Sequence, residues 1–275
     1  MRAEVQYSKR LILNVQFSPS QLLHDDTPNS DVLAPTGHIR VSLTGRPQIS
    51  ERIARFRTGD QWADVWFLRT HSLDGVSLER ATSAQEQQRA SRFRDQRHAE
   101  AYIRSRGFLR VVLASYASIA PSAIGFRIGS SGKPEIAGLP QGLHFNLSRS
   151  DDFTLVAVSD GAVGIDIERF RMIDDARQLA LQHFHPVERQ LVDAWTQHEI
   201  PDRFLALWTR KEAYVKAIGV GLPYGLDAFY DIPWECDVAN AYRVIDPTTP
   251  AEQYVLTLDV AEAFASISIP FLPTR

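Results

Sequence analysis

The chain has 275 residues, of which 44% are hydrophobic and 23% are charged, and its net charge is −3. This length is enough for one large domain or for two lobes, and the near-neutral charge gives no reason to expect nucleic acid or an anionic membrane as a partner. The single cysteine, Cys236, excludes an internal disulfide, and no segment has the roughly 20 apolar residues of a membrane helix. Because the apolar run near the start is short and interrupted by polar residues, no signal peptide is expected and the protein is predicted to be cytoplasmic.

The first half of the chain predicts an extension followed by a mixture of strands and helices. Residues 1–60, whose later part is rich in Ser, Pro, Thr, Gly and Asp, are interpreted as an N-terminal extension of unknown role. The elements that follow are predicted to be a strand, a helical region, a turn-rich break and two strands, at 63–70, 83–117, 129–136, 144–150 and 153–159.

The second half of the chain shows a similar mixture of elements. It predicts a strand, two helices and four more strands, at 162–168, 186–195, 202–219 and near 226–233, 241–246, 253–260 and 265–271. Because both halves combine helices with hairpins, we expect an α/β (α+β) fold with two lobes that meet near residue 160.

The strand predicted at 162–168 carries two acidic residues at alternate positions. In its GIDIE sequence, Ile165 and Ile167 share one face, while Asp166 and Glu168 share the other, about 7 Å apart along the strand. The aliphatic face is expected to point into a core. The two carboxylates must then face a cation, a substrate or solvent.

A further acidic residue lies on the helix predicted at 202–219, where Glu212 and Lys216 are one turn apart. Taken alone, this is a surface pair worth about 0.3–0.5 kcal/mol. If Glu212 lies near Asp166 and Glu168 instead, three carboxylates converge, and each pair at about 6 Å repels by roughly 2.8 kcal/mol at an effective dielectric of about 20. Such a cluster needs a cation or raised pKa values, and its oxygen ligands favour Mg²⁺ or Mn²⁺, which bridge proteins to phosphates.

Five motifs in order resemble those of a known enzyme family. They are RASRFRDQRHAEAYIRSRGFLR, SGKPEI, FNLSRS, GIDIE and WTRKEAYVKAIGVGL, at 89–110, 131–136, 145–150, 164–168 and 208–222. In type and spacing they are similar to the 4′-phosphopantetheinyl transferase superfamily of the Sfp-like (surfactin-synthetase-activating) type. The similarity covers about residues 62–260 and leaves the first sixty residues outside it.

The resemblance implies a monomer of two pseudo-symmetric α/β lobes with the active site in the cleft between them. The N-terminal lobe, at 61–160, is expected to bind coenzyme A, and the C-terminal lobe, at 161–275, to hold the metal and dock the carrier protein. The implied enzyme is of the holo-[acyl-carrier-protein] synthase type. It transfers the 4′-phosphopantetheine arm from coenzyme A to a serine of an apo acyl or peptidyl carrier protein and releases adenosine 3′,5′-bisphosphate. The two-lobed size resembles the broadly acting members that serve secondary metabolite biosynthesis, although fatty acid, polyketide and nonribosomal peptide carriers all stay open.

Carried over residue by residue, the resemblance implies that Asp166, Glu168 and Glu212 hold Mg²⁺, with Mn²⁺ as the alternative ion. Lys216 is expected to be both catalytic and coenzyme-binding, because it can bind the transferring phosphoryl group or protonate the leaving one. The base that takes the proton of the carrier serine is expected to be Glu212, directly or through a water, with Glu188 as the other candidate.

Cations for the coenzyme phosphates are expected in the arginine-rich motif, where Arg97 and Arg104 share a helical face. By family position, Arg97 and Arg110 match the contacts to the 3′-phosphate best. Arg149 stands where family members often have histidine, and arginine keeps the donor while fixing its positive charge. The other contacts that the resemblance implies are Lys133, Pro134, Ser148 and Lys211.

Two other classes of function stay open at this point. Clustered acids beside lysines would also suit a Mg²⁺-dependent nucleotide or phosphodiester hydrolase. A non-catalytic relative that only binds carrier proteins is the third possibility, and the intact acidic and lysine motifs argue against it. Transfer and hydrolysis are separated by weighing an apo carrier after incubation with coenzyme A and Mg²⁺.

Overall fold

The computed structural model describes residues 37–43, 46–58, 60–70, 75–129, 132–137, 142–234 and 240–270. Cys236 and residues 1–36, which make up most of the predicted extension, lie outside the described residues. The two lobes that the described residues form belong to one compact unit. No helix in this part of the chain is long and apolar enough to cross a membrane.

The N-terminal lobe combines an antiparallel sheet with a long helix. Its described elements are, in chain order, β1 (Gly37–Leu43), β2 (Arg46–Thr58), β3 (Gln61–Arg69), α1 (Gly75–Arg80), α2 (Ala84–Ala90), α3 (Gln96–Ala117), β4 (Gly125–Ile128), β5 (Pro134–Ala137), β6 (His144–Ser150) and β7 (Phe153–Ser159). Five strands form one sheet in the order β1-β2-β3-β7-β6, and β4 pairs with β5 as a separate hairpin. Leu109 and Val112 of α3 belong to the same buried cluster as Val156 and Val158 of β7, so the helix covers one face of the sheet.

The C-terminal lobe repeats this combination. Its described elements are, in chain order, β8 (Gly164–Arg169), α4 (Ala176–His183), α5 (Pro186–Val192), α6 (Ile200–Ile218), β9 (Tyr230–Pro233), β10 (Ala241–Ile245), β11 (Tyr254–Val260) and β12 (Ala263–Ile269). They include a second antiparallel sheet in the order β8-β12-β11-β10-β9. Each lobe therefore pairs a five-stranded sheet with one long helix, and the predicted α/β (α+β) fold of two similar lobes is confirmed.

A hydrophobic core joins the two sheets. It contains Leu155 and Ala157 of β7 from one lobe and Ile165 and Ile167 of β8 from the other. Both isoleucines are almost fully buried. The aliphatic face predicted for the GIDIE strand is confirmed, because its alternate positions enter this core.

The structure differs from the sequence-based expectation in several places. Strand β2 pairs with β3 from Glu51 to Thr58, so the sheet of the first lobe begins before residue 61. The helical region predicted at 83–117 is divided into α2 and α3, because Asp95 adopts an extended conformation and caps the start of α3. Part of the predicted turn-rich break forms strand β5, and the short helices α1 and α4 were not predicted.

Strands β6 and β8 lie side by side where the two lobes meet, but side chains rather than a backbone ladder join them. The amides of Ile165, Ile167 and Arg169 donate to the side chains of Asn146, Ser148 and Ser150, at 2.9, 3.4 and 3.0 Å respectively. We call this set of three hydrogen bonds the seam. The three polar side chains occupy alternate positions of β6 and therefore share one face of the strand.

Helix α6 packs directly on β8 at a glycine. A Cβ atom added to Gly164 would lie 2.9 Å from the Cα of Ala217 and would overlap the carbonyl oxygen of Ala213. Only glycine allows the helix to approach the strand this closely. The same contact brings the residues of α6 within reach of the acids on β8.

Candidate active site

Asp166 lies at the centre of the group of acids predicted from the sequence. Its side chain is buried, and its Oδ1 accepts hydrogen bonds from Ser148 Oγ at 2.7 Å and Lys216 Nζ at 2.5 Å. Its Oδ2 is buried without a hydrogen-bond partner in the described part of the chain. Burial raises the pKa of the Asp166 carboxyl, and the positive charge of Lys216 opposes that shift.

Glu168, two residues further along β8, is held in a similar way. Its Oε2 accepts from Ser150 Oγ at 3.0 Å and from Arg171 Nη1 at 2.6 Å. Its Oε1 receives no hydrogen bond from the described residues. Each acid of β8 therefore has one oxygen bound by a serine of β6 and a basic side chain, while its second oxygen is left without a protein donor.

Glu212 contributes the third carboxylate from helix α6. Its Oε1 is buried and has no hydrogen-bond partner among the described residues. Burial raises the pKa of Glu212, Lys216 opposes this, and the negative charges of Asp166 and Glu168 raise the pKa further. The acid of the helix and the two acids of the strand are thus close enough to interact electrostatically, which is the arrangement that the two motifs predict.

These residues fit a divalent cation, although they do not form a ready-made cage. No three His, Cys, Asp or Glu side chains of the described residues are arranged as metal ligands. Yet Asp166 and Glu212 each keep one buried carboxylate oxygen without a donor, and burying such an atom unpaired is costly. Mg²⁺ takes oxygen ligands and usually binds through one or two carboxylates, water and substrate phosphates, so it needs no complete protein cage.

Comparison with known proteins identifies the family. The family model of the 4′-phosphopantetheinyl transferase superfamily matches residues 162–263, which include β8 and α6. The 4′-phosphopantetheinyl transferase psf-1 of Bacillus pumilus is 33% identical over 176 residues, 64% of this chain and 74% of that relative. This chain belongs to the 4′-phosphopantetheinyl transferase superfamily. The resemblance to Sfp-like members is confirmed.

Two more relatives are similar to this chain over a shorter stretch. The 4′-phosphopantetheinyl transferase HetI of Nostoc sp. is 36% identical over 51% of this chain and 60% of its own length. A 4′-phosphopantetheinyl transferase of Bacillus subtilis is 32% identical over 54% of this chain and 65% of its own length. The match thus spans less than two thirds of these two relatives.

Two predicted site residues, Lys211 and Glu188, contact each other instead of the three acids. Lys211 is 1% exposed, and its amine lies 2.7 Å from Glu188 Oε2 while also donating to the carbonyl of Phe229. Glu188 in turn caps the start of α5 through the amide of His185. Both side chains are therefore engaged inside the C-terminal lobe. This placement does not support coenzyme contact by Lys211 or a role for Glu188 as the base.

Arg110, predicted as a contact to the 3′-phosphate, is buried in the N-terminal lobe. Its guanidinium donates to Glu86 Oε2 at 2.7 Å and to the carbonyls of Pro121 and Ile124. These partners take three of the five guanidinium N–H donors and the side chain is only 3% exposed, so the structure does not support the predicted contact. Arg110 instead ties α2 and the loop after α3 to the helix.

The other predicted cations are placed differently. Arg97 is exposed on the first turn of α3 and Arg149 is exposed on β6, and neither side chain has an ion-pair partner among the described residues. Arg104 donates to the carbonyl of Thr70 at 2.7 Å. Arg97 and Arg149 are therefore available to a phosphate, and their role in binding coenzyme A stays a prediction.

Lys133 links the two lobes. Its amine donates to the carbonyl of Val163, just before β8, at 2.7 Å and to the carbonyl of Lys216 on α6 at 2.8 Å. Burial lowers the pKa of Lys133 to about 8. Pro134, the next residue, is exposed at the start of β5. The predicted contacts of these two residues with the adenine are untested, while the amine of Lys133 is already engaged by the C-terminal lobe.

A surface cavity in the N-terminal lobe contains cations that the sequence reasoning did not select. The cavity has a volume of about 500 Å³ and is lined by Gln85, Gln88, Arg89, Arg92 and Phe93. Both arginines belong to the arginine-rich motif, so the signal was present in the sequence. Their positions could be distinguished from that of Arg110 only by knowing which side of each helix is buried.

Proposed function

We propose that this protein transfers the 4′-phosphopantetheine arm of coenzyme A to a serine of an apo acyl or peptidyl carrier protein. The observation that carries the proposal is the pair of buried carboxylate oxygens without donors, Asp166 Oδ2 and Glu212 Oε1, beside Lys216. They lie on the strand and the helix that the family model matches. The three relatives described above are all named as 4′-phosphopantetheinyl transferases.

Asp166, Glu168 and Glu212 are the residues proposed to hold Mg²⁺, with Mn²⁺ as a substitute. When bound, the cation supplies charge stabilisation to the pyrophosphate of coenzyme A during phosphoryl transfer. Lys216 holds Asp166 through an ion pair of 2.5 Å, and its ammonium would supply positive charge to a phosphate bound beside these acids. Ser148 lies beside both groups, with its Oγ 3.3 Å from Lys216 Nζ.

Glu212 is the proposed base for the hydroxyl of the carrier serine. Its Oε1 is buried without a hydrogen-bond donor among the described residues, so this carboxylate has an oxygen that can accept a proton directly or through a water. In the proposed reaction, the serine oxygen forms a bond to the β-phosphorus while the bond to the bridging oxygen breaks. The serine proton goes to Glu212, and adenosine 3′,5′-bisphosphate leaves with the electron pair.

The remaining cations are proposed to bind the coenzyme phosphates. Arg149 lies between Ser148 and Ser150 on β6, where it is exposed on the face of the strand opposite those serines, and it has no ion-pair partner among the described residues. Arg97 on α3 and the cavity with Arg89 and Arg92 offer further positive charge to the 3′-phosphate. In this assignment the N-terminal lobe binds coenzyme A, while the C-terminal lobe holds the cation and docks the carrier. The carrier class, the cytoplasmic location and the monomeric state remain part of the proposal.

The experiment that tests the proposal weighs a carrier protein. The protein is incubated with coenzyme A, Mg²⁺ and a panel of apo carriers, and each carrier is analysed by mass spectrometry. We expect a gain equal to the phosphopantetheine arm, no gain with Asp166→Asn, and a normal gain with Asp259→Asn, an exposed acid of β11. Breakdown of coenzyme A without any gain in carrier mass would favour the hydrolase instead. No contact among the described residues supports that activity.

A further inference from the structure

We propose that Ser150 is a positioning residue that holds Glu168, from the opposite lobe, in the orientation that a divalent cation requires. This inference rests on the proposed function, because it concerns how the acidic site is assembled. Ser150 belongs to β6 of the N-terminal lobe and is 9% exposed, whereas Glu168 belongs to β8 of the C-terminal lobe. The site therefore depends on both lobes even though all three acids come from one.

The hydroxyl of Ser150 has two partners that together fix its direction. It accepts the amide hydrogen of Arg169 at 3.0 Å and donates to Glu168 Oε2 at 3.0 Å. A serine hydroxyl has a single donor hydrogen and two acceptor lone pairs. Because the amide occupies a lone pair, the one hydrogen is directed at the carboxylate. The backbone of β8 thus orients the hydroxyl, and the hydroxyl orients the acid on the same strand.

The same arrangement occurs one step earlier along the seam. Ser148 Oγ accepts from the amide of Ile167 at 3.4 Å and donates to Asp166 Oδ1 at 2.7 Å. In both cases the serine holds one carboxylate oxygen and leaves the other without a donor among the described residues. This repetition at alternate positions indicates that the seam orients the acids in addition to joining the lobes.

Arg171 is the other group that could hold Glu168. Its Nη1 lies 2.6 Å from Glu168 Oε2, but its side chain is 53% exposed. An exposed ion pair of this kind is screened by water and restrains a long side chain weakly. Ser150 is buried and has a short side chain on a paired strand, so it is the stronger restraint on the orientation of Glu168.

The test measures Mn²⁺ binding by electron paramagnetic resonance on the full chain without coenzyme. Removing a group that orients a metal ligand typically weakens metal affinity about 10–100-fold. We expect Ser150→Ala to weaken Mn²⁺ binding by about tenfold or more, and Ser150→Thr, which keeps the hydroxyl, to stay within about threefold of wild type. The matched control is Ser268→Ala, which removes a buried serine of β12 bonded to Gln253 and should not change Mn²⁺ affinity.

A second pair of variants tests the inference if Ser150→Ala folds poorly. Ser150→Thr and Ser150→Val have nearly the same shape and differ in the hydroxyl, so any difference in Mn²⁺ affinity between them reports on the hydrogen bond. With coenzyme A and an apo carrier, Ser150→Val should lower kcat more than it raises the KM for coenzyme A.

The outcomes separate the inference from the function on which it rests. If wild type binds Mn²⁺ and modifies the carrier, but Ser150→Ala and Ser150→Val bind Mn²⁺ as tightly as wild type, Ser150 has only a structural role and the inference is overturned. A lower melting temperature with unchanged affinity has the same meaning. If wild type neither binds Mn²⁺ nor modifies any carrier, the proposed function itself fails.

Discussion

The contact between Gly164 and helix α6 makes a quantitative prediction for Gly164→Ala. The added Cβ would lie 2.9 Å from the Cα of Ala217, 0.5 Å inside the 3.4 Å at which ordinary contact begins, and would overlap the carbonyl oxygen of Ala213 more severely. Both neighbours are backbone atoms of α6 and cannot rotate away. The helix must therefore retreat from β8 by on the order of 1 Å, at a cost of about 1–3 kcal/mol.

This retreat also affects the acidic site, because α6 carries Glu212 and Lys216. A displacement of about 1 Å can lower a reaction rate by about 100-fold. We expect Gly164→Ala to lose about 1–3 kcal/mol in the free energy of unfolding, measured with urea, and to reduce carrier modification by one to two orders of magnitude.

The matched control is Gly161→Ala, in the turn that precedes β8. Its added Cβ would meet only the ring of Pro270, at 3.4 Å, which is ordinary contact. Gly161→Ala should therefore behave like wild type in both assays. The reasoning would be refuted if Gly164→Ala unfolded within about 0.5 kcal/mol of wild type, since a surface substitution with no steric consequence gives that result.

Three further predictions concern the buried charges. Because the pKa values of Asp166 and Glu212 are raised, the stability that their neutral forms provide is present below the ordinary carboxyl pKa and is lost as pH rises through the raised values. The increase in melting temperature caused by Mg²⁺ should therefore grow as pH rises above the ordinary carboxyl range, and an increase that does not depend on pH would contradict the site. Lys211→Met should lower the free energy of unfolding, measured with urea, by about 3–5 kcal/mol, because it leaves Glu188 buried without its partner. Adding Glu188→Gln should restore part of this free energy. If the double variant is no more stable than Lys211→Met, the broken ion pair is not the cause of the loss. Lys133→Met should lower the free energy of unfolding by about 1–3 kcal/mol in the same measurement, because two backbone carbonyls lose their donor. An unchanged unfolding midpoint would show instead that water replaces the amine.

Features that depend on local periodicity could be predicted from the sequence. The alternation in GIDIE placed Ile165 and Ile167 in the core, and α6 was predicted within two residues of its bounds. These signals come from residues that are neighbours along the chain. The motifs then predicted that Glu212 would lie near the acids of β8, which agrees with the charge effects of Asp166 and Glu168 on the pKa of Glu212, although burial is the larger cause of its rise.

Pairings between distant segments could not be predicted in the same way. Lys211 and Glu188 are 23 positions apart and lie on different helices, and nothing in their local sequence distinguishes them from exposed charges. Arg110 belongs to a motif of many arginines, but its side chain is buried in the lobe, where it meets Glu86 of α2. The apolar residues on either side of Arg110 were the available sign of this burial.

The hydrogen bonds between β6 and β8 limit how this stretch of sequence can vary. Asn146, Ser148 and Ser150 act together because they are two residues apart, so inserting or deleting one residue between them would turn a partner to the wrong side of the strand. The residues between them carry no such restriction. Leu147 packs against the core of the first lobe and Arg149 is a proposed phosphate ligand, so other demands apply to those two positions, while the seam fixes the number of residues in FNLSRS.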